Sequence, residues 1–286
     1  MNKYEFSREH QEEIYVSPRE IDEAHKRAKK VLLNPILLED FPNYRDWEED
    51  QAYVDKLKEK FKRDAVGSSP EEVESAKLGE IFEAIIFEQI ELSNWLGENA
   101  NTIQPSDYDD IINKVDCIVE IEESPTSTSH LALAMDVTIS GHFGDKFAHI
   151  KKSIDTGELT KIKYFATDAG NFKGEKSLIP SVVIAVDRPT LFSMIKAWTQ
   201  KDQKALAEHP AQVKILEEIR IQLSAFAKYA ESVDKPRLVE VYQHSLAIVE
   251  KIITEKEITE EQFKEAHGDD FLDAIRFNAV HLADRL

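Results

Sequence analysis

The hydrophobic residues of this chain follow two periodicities, which divide it into a strand-rich middle and helical ends. In the middle, apolar and β-branched residues form short runs bounded by turn residues. Such runs predict strands at residues 114–121, 131–140, 160–167 and 181–186. The run at 131–140 is the most apolar, so we place it in the interior of a sheet. Helical segments alternate with these strands, which predicts an α/β fold with a mixed central sheet and flanking helices.

On both sides of that middle section, apolar residues recur every three or four positions, as they do in amphipathic helices. Ser-x-x-Glu capping boxes at Ser17 and Ser69 mark two helix starts, because the serine and glutamate side chains satisfy N–H groups of the first turn. We therefore expect an N-terminal helical layer at residues 1–68 and an α/β core at residues 69–190. A C-terminal helical region at residues 191–286 is expected to dock on the core.

The composition is that of a soluble globular protein. The 286 residues are 42% hydrophobic and 32% charged, and no apolar run approaches the ~20 residues that a membrane-spanning helix needs. The first six residues lack the apolar core of a signal peptide. Cys117 is the only cysteine, which excludes an internal disulfide and suits a reducing compartment. The sequence therefore predicts a cytoplasmic protein without a membrane partner.

The net charge of −19 opposes nonspecific binding of nucleic acid over the whole surface. Residues 141–180 have the opposite local balance, with seven lysines against five acidic residues. This net-basic segment directly follows the strand predicted at residues 131–140. It is either a solvated helix face or a patch that binds phosphates.

Two aspartates interrupt the apolar runs. Asp116 and Asp136 each stand among aliphatic residues of a predicted strand, where an ionised carboxylate is costly unless it is paired or bound to a cation. Side chains alternate along a strand, so both aspartates can face one surface of the sheet. Glu83 borders the apolar face of the helix that begins after Ser69. Either these carboxylates lie at strand ends or beside lysines, or together they hold a divalent metal such as Mg²⁺.

The order of these residues resembles that of the PD-(D/E)XK nuclease superfamily. The matching features are a helix with Gly-x-x-Phe-Glu at residues 79–83, a strand with Asp116, a strand with Asp136 and a lysine-bearing helix at residues 146–152. Gly79 costs a helix interior roughly 1 kcal/mol relative to alanine, so we expect it to admit a neighbouring backbone.

This resemblance covers about residues 70–187. It implies a restriction-endonuclease-like core in which Glu83, Asp116 and Asp136 bind Mg²⁺ or Mn²⁺ and take part in catalysis. The implied activity is hydrolysis of phosphodiester bonds in nucleic acid, with DNA as the expected partner. A homodimer is compatible with this interpretation.

The lysine of the family motif is not at its expected position. In the family motif the lysine follows the second acidic residue by two positions, which would be residue 138. This chain has Thr138 there. A lysine on a neighbouring element would then have to replace it. Lys151 is our first choice because it follows Phe147 by four residues and therefore lies beside the buried stripe of its helix; Lys163 is the second.

The remaining lysines of the basic segment are expected to hold the nucleic-acid backbone, foremost Lys146, Lys152 and Lys163. If no lysine reaches the carboxylates, the chain is an inactive copy of the fold. It would then serve as a scaffold or a protein-interaction module.

The sequence lacks the motifs of a calcium loop, a phosphate-binding loop and a serine hydrolase. Asp107, Asp109 and Asp110 lack the ligand spacing and the glycine of an EF-hand loop. Residues 170–177 contain two glycines without the spacing of a phosphate-binding loop, and the Gly-x-Ser-x-Gly elbow of serine hydrolases is absent.

Overall fold

Helices surround a small mixed sheet in this protein. The computed structural model describes residues 14–124, 126–137, 143–167, 170, 172–266 and 270–282. Its α-helices are α1 (Pro18–Val31), α2 (Trp47–Ala65), α3 (Pro70–Leu92), α4 (Asp107–Asn113), α5 (Gly144–Thr156), α6 (Arg188–Gln200), α7 (Gln203–Ala207), α8 (Ala211–Ser232), α9 (Pro236–Glu255), α10 (Glu260–Ala266) and α11 (Asp270–Val280). Its strands are β1 (Ala100–Ile103), β2 (Cys117–Ser124), β3 (Ser127–Val137), β4 (Thr160–Ala166), β5 (Lys173–Ile179) and β6 (Ser181–Val186).

The main sheet has the strand order β1-β2-β3-β6. Its first three strands are antiparallel neighbours, and β6 pairs in parallel with β3. The predicted mixed α/β sheet is therefore confirmed, as is the interior position of the most apolar strand. The chain between β3 and β6 contains α5 and a hairpin of β4 and β5, which forms a separate two-stranded sheet.

Two segments differ from the sequence prediction. Residues 107–113 form α4 instead of a turn, because the hydroxyl of Ser106 accepts a hydrogen bond from the Asp109 N–H at 3.1 Å and caps the helix. Residues 173–179 form β5, although this segment reads as polar. Most of its residues keep a solvent-accessible face while its backbone pairs with β4.

The core is a continuous cluster of buried side chains that draws on all three predicted segments. It includes Ala24 of α1, Phe82 of α3, Val183 of β6 and Phe226 of α8. The terminal helices therefore pack on the same core as the sheet, and burial of this apolar surface is the main stabilising contribution. Across the described ranges, no helix is both long and apolar enough to cross a membrane.

Side chains from helices close both edges of the main sheet. At β6, the side-chain amide of Gln222 on α8 accepts from the Val183 N–H at 2.8 Å and donates to the Val183 carbonyl at 2.6 Å. Glu218 accepts from the Ala185 N–H at 3.1 Å. At β1, Glu91 of α3 accepts from the Thr102 N–H at 2.9 Å. Backbone groups that would otherwise lack strand partners are thus satisfied.

Candidate functional site

The carboxylates singled out in the sequence lie at one end of the main sheet, where β2 begins and β3 ends. Asp116 directly precedes β2, and its N–H donates to the carbonyl of Leu133 at 3.0 Å. Its carboxylate oxygen Oδ2 accepts a hydrogen bond from the Met135 N–H at 2.5 Å. Asp116 is therefore held against β3 one residue away from Asp136.

Asp136 lies near the C-terminal end of β3, paired with Ala185 of the parallel strand β6. Its backbone position is described, whereas its side chain and the residue Thr138 lie outside what the structure describes. The carboxyl ends of neighbouring parallel strands are a frequent location for ligand sites in α/β proteins. The backbone therefore places Asp136 at the same sheet end as Asp116.

Glu83 of α3 is half-buried, and the charges of the carboxylates at this sheet end act on its side chain. Burial, together with the negative charges of Asp116, Asp110 and Glu80, raises the pKa of its carboxyl group to about 8. The positive charge of Lys146 acts in the opposite direction. Glu83 thus holds its proton at neutral pH in the metal-free protein.

The neighbouring motif residues have different surroundings. Glu80 contacts the His25 imidazole at 2.9 Å, so it belongs to the contact between α1 and α3. A Cβ added at Gly79 would meet nothing within 4 Å, so the expectation that this glycine admits a neighbouring backbone is wrong. Of these motif residues, Glu83 is therefore the one that contributes to the candidate site, and Gly79 does not bring a neighbouring backbone close to α3.

Asp110 is a carboxylate of this group that the sequence interpretation missed. It lies on α4, and its pKa is raised to about 7 by burial first and by the charges of Asp116 and Asp107 next. The sequence signal for Asp110 is its position just before the Asp116 strand, since the acidic residues of this segment do not have the spacing of a calcium loop.

Lys146 of α5 reaches this end of the sheet. Its ammonium group donates a hydrogen bond to the carbonyl oxygen of Met135, the residue before Asp136. Its charge also lowers the pKa of Glu83. The sequence interpretation had assigned Lys146 to nucleic-acid backbone contacts.

Lys151 and Lys163, the two lysines preferred on sequence grounds, have partners elsewhere. Lys151 forms an ion pair with Asp155 at 2.7 Å and lies 5.5 Å from the ring centroid of Tyr229 on α8. Lys163 of β4 forms an ion pair with Asp50 of α2 at 2.5 Å. These contacts hold helices in place, and the lysine next to the carboxylates is Lys146 instead.

The basic segment at residues 141–180 is largely neutralised by contacts within the protein. Lys161 pairs with Glu175 at 2.6 Å, and Lys173 lies 3.9 Å from Asp40. Lys152 is exposed, and its charge lowers the pKa of His149 on the same helix, although burial of the imidazole is the larger cause. Of the lysines expected to bind a nucleic-acid backbone, Lys152 is the most accessible.

A denser basic segment escaped the sequence interpretation. Residues 56–63 of α2 carry five cationic residues and one acidic residue. Net-basic charge is therefore not confined to residues 141–180. The signal was present in the charges, but these residues had been assigned to an ordinary packing helix on the basis of their apolar spacing.

The described carboxylates do not by themselves complete a metal site. Among the described side chains, no three His, Cys, Asp or Glu residues gather closely enough to hold one metal ion. The Asp136 carboxylate lies outside that set. A metal centre at this position therefore requires Asp136 in addition to Glu83 and Asp116.

Two serine–histidine contacts lie elsewhere, and neither is arranged as a catalytic relay. His209 accepts from the Ala211 N–H through Nδ1 at 3.2 Å, so its neutral ring has its proton on Nε2 and donates it to Ser193. His244 uses Nε2 toward both Ser129 and Glu123, each at 3.1 Å. A relay needs the serine and the carboxylate on different ring nitrogens.

Comparisons with protein-family models, with curated proteins and with solved structures find no match for this chain. Its function must therefore be argued from its own residues and their arrangement.

Proposed function

We propose that this protein is a metal-dependent nuclease with a restriction-endonuclease-like core, cleaving phosphodiester bonds of nucleic acid. Glu83, Asp116 and Asp136 are assigned as metal ligands, and Lys146 as the active-site lysine. Support comes from the order of elements: α3 supplies the glutamate, the residue before β2 and the end of β3 supply the aspartates, and α5 supplies the lysine. That is the order in which the sequence resembles the PD-(D/E)XK superfamily.

The observation that carries this proposal is the accumulation of negative charge around Asp116, close to Lys146. Glu83 and Asp110 both have strongly raised pKa values, and Asp116 contributes to both. Such repulsion is unfavourable in a purely structural site, and perturbed pKa values cluster at functional sites. A divalent cation with oxygen ligands would remove the repulsion and displace the protons, so the chemistry of the donor set fits Mg²⁺ or Mn²⁺.

When bound, the metal ion would supply Lewis-acid chemistry by acidifying a water molecule and neutralising phosphate charge. The residues of the chain have separate tasks. The hydrogen bond from Met135 holds the Asp116 carboxylate in one orientation. Lys146, fixed by the Met135 carbonyl, provides a positive charge beside the reacting phosphate, where charge develops in the transition state. Asp110 is assigned to an outer position, where it accepts hydrogen bonds from bound water.

The test is cleavage of single- and double-stranded DNA and RNA in Mg²⁺, in Mn²⁺ and in EDTA. Asp116→Asn and Asp136→Asn are expected to abolish metal-dependent cleavage. Asp22→Asn, which removes an exposed carboxylate of α1 paired with Lys77, is the matched control and should cleave as the wild type does. Equal cleavage by wild type and Asp116→Asn would identify a contaminant and reject the assignment.

An inactive scaffold of the same fold is the second candidate. This candidate is favoured because no three described His, Cys, Asp or Glu side chains lie close enough together to hold a metal ion. Calorimetric titration with Mn²⁺ separates the two candidates. Binding that disappears in Asp136→Asn supports the nuclease, whereas absence of binding together with absence of cleavage supports the scaffold.

A further inference from the structure

A cavity of about 330 Å³ lies at the end of the main sheet opposite the acidic carboxylates. Its walls are the start of β3, the end of β5 and one face of α9. The strand β6 begins at Ser181, opposite Ala132, so the residues of β3 before that point pair with β2 alone. The cavity lies beside this stretch of β3. Its volume is at the lower end of the range of small-molecule sites, so it suits a ligand of few atoms.

A lysine and a glutamate line this cavity from different walls. Lys176 belongs to β5, and its ammonium lies 5.9 Å from the ring centroid of Phe165. Glu240 is an exposed residue of α9. Within the ranges that the structure describes, neither side chain forms an ion pair, with the other or with any third group. The cavity thus presents one positive and one negative charge that a ligand can neutralise.

Two imidazoles supply further polar groups. The side chain of His130 is only 4% exposed, and its Nε2 lies 3.0 Å from a carboxylate oxygen of Glu120. Its other nitrogen, Nδ1, has no hydrogen-bond partner in the described part of the chain. On the α9 side, Nε2 of His244 lies 3.1 Å from the Ser129 hydroxyl, which holds that ring at the cavity wall. A nearly buried imidazole with an unpartnered nitrogen is a group that a polar ligand can satisfy.

The backbone of the cavity wall is strained at Leu178. Its φ of +61° lies in the left-handed region that residues other than glycine seldom adopt. Leu178 lines the cavity near the end of β5, directly before the buried residue Ile179. Such conformations persist where surrounding contacts enforce them, and they cluster at ligand sites. The strain is therefore a second sign, independent of the charges, that this wall is built for binding.

We propose that this cavity binds a small zwitterion, a molecule that carries both a carboxylate and an ammonium group, such as a free amino acid. Lys176 contacts the carboxylate, Glu240 contacts the ammonium, and His130 takes a further polar group. A ligand with only negative charge is disfavoured because Glu240 repels it, and one with only positive charge because Lys176 repels it. The inference goes beyond the proposed nuclease function and does not rest on it.

The test begins with a thermal-shift screen of the full chain against the proteinogenic amino acids, because a ligand that binds only the folded state raises the unfolding midpoint. Calorimetric titration then measures the affinity of the best amino acid. Acetate, inorganic phosphate and methylammonium are titrated in parallel, since each carries charge of one sign only.

Three variants change the cavity in different ways. Lys176→Gln and Glu240→Gln each remove one charge, whereas Ser245→Phe fills the cavity with a ring and keeps both charges. The matched controls are Lys161→Gln, at an exposed lysine of the same hairpin that pairs with Glu175, and Glu250→Gln, at an exposed glutamate of α9. Circular dichroism checks that all variants retain the helix content of the wild type.

At least one amino acid should bind the wild type, and each of the three cavity variants should weaken that binding about tenfold or more, the usual effect of losing a hydrogen bond to a charged group. Both controls should bind as the wild type does. Failure of every amino acid to bind would overturn the proposal. So would wild-type affinity in Lys176→Gln and Glu240→Gln, or tighter binding of acetate or inorganic phosphate than of any amino acid.

Discussion

The Lys146 ammonium donates a hydrogen bond to the carbonyl oxygen of Met135, and the N–H of the same Met135 donates to the Asp116 carboxylate. A single residue of β3 thus fixes both the lysine and one carboxylate of the proposed site. Asp136 follows Met135 directly. This arrangement brings α5 and the start of β2 to the same point of the sheet, and under the proposed nuclease function Lys146 takes the role of the lysine missing at Thr138.

Replacement of Lys146 is expected to reduce catalysis without removing metal binding. Lys146→Gln should lower the rate of cleavage about 10²- to 10³-fold, the usual loss when one electrostatic stabiliser of the transition state is removed. Lys151→Gln is the matched control, since its ammonium pairs with Asp155 near α8. Single-turnover cleavage with Mg²⁺ measures both. If Lys151→Gln shows the larger loss, Lys151 is the active-site lysine and the assignment of Lys146 is wrong.

The raised pKa of Glu83 predicts that the metal-free protein loses stability as the pH rises. The unfolded chain releases the Glu83 proton near the ordinary value of 4.5, whereas the folded protein retains it up to about pH 8. Between these values the folded state binds more protons, so the free energy of unfolding falls with increasing pH. Urea unfolding in EDTA at several pH values measures this decline.

Glu83→Gln should remove this part of the decline and make the protein more stable than the wild type above pH 8, by a few kcal/mol at most. Glu71→Gln, at an exposed glutamate of the first turn of the same helix α3, is the control. Mg²⁺ should restore stability to the wild type and not to Asp116→Asn. An identical pH dependence in Glu83→Gln and wild type would show that Glu83 is ionised in the folded protein.

Asp109 is predicted to be a structural residue despite its position within the acidic segment. It is fully buried and accepts four hydrogen bonds at 2.6 to 3.0 Å, from the Ser106 hydroxyl, the Asn113 amide and the backbone N–H groups of Lys163 and Tyr164. Asp109→Ala leaves these donors without a partner, so it should destabilise the protein by about 3 to 5 kcal/mol.

Asp107→Ala, on the same helix, removes a surface ion pair and should cost at most about 1 kcal/mol. Chemical denaturation compares the two variants. Equal destabilisation would mean that Asp109 does not hold α4 against β4.

The sequence was sufficient to predict a mixed sheet containing β2, β3 and β6 because the signals are local, whereas the strand order and the pairing of β4 with β5 outside this sheet were not predicted. The apolar runs of β3 and β6 are continuous, and capping boxes at Ser17 and Ser69 fix the starts of α1 and α3. The helix α4 was missed because its seven residues are too few for a periodic pattern. The strand β5 was missed because it is mostly polar and is stabilised by pairing with β4.

Which lysine lies beside the carboxylates cannot be predicted from the sequence alone. The apolar stripe of Phe147, Ile150 and Ile154 predicts correctly which face of α5 is buried. Lys146 and Lys151 lie on opposite flanks of that stripe, and the spacing does not tell which flank faces β3 and which faces α8. Tertiary packing alone decides this. The same holds for Asp110, whose proximity to Asp116 depends on how α4 folds back on the sheet.

Gln222 is predicted to matter more than an ordinary helix glutamine. It is fully buried and forms two hydrogen bonds with the backbone of Val183. Gln222→Leu leaves a buried N–H and a buried carbonyl unsatisfied, which should destabilise the protein by about 2 to 4 kcal/mol. Gln212→Leu, at an amide that is half-buried and bonds to loop carbonyls, is the control. Equal unfolding midpoints in urea would contradict this role.

The closed sheet edges also restrict how this protein can associate. Glu91 covers β1, while Gln222 and Glu218 cover β6, so a foreign strand finds no open row of N–H and carbonyl groups at these positions. Recognition by strand addition, and dimerisation through a sheet continuous across two copies, would first require these side chains to be displaced. A homodimer that leaves these side chains in place therefore cannot be built by extending the main sheet.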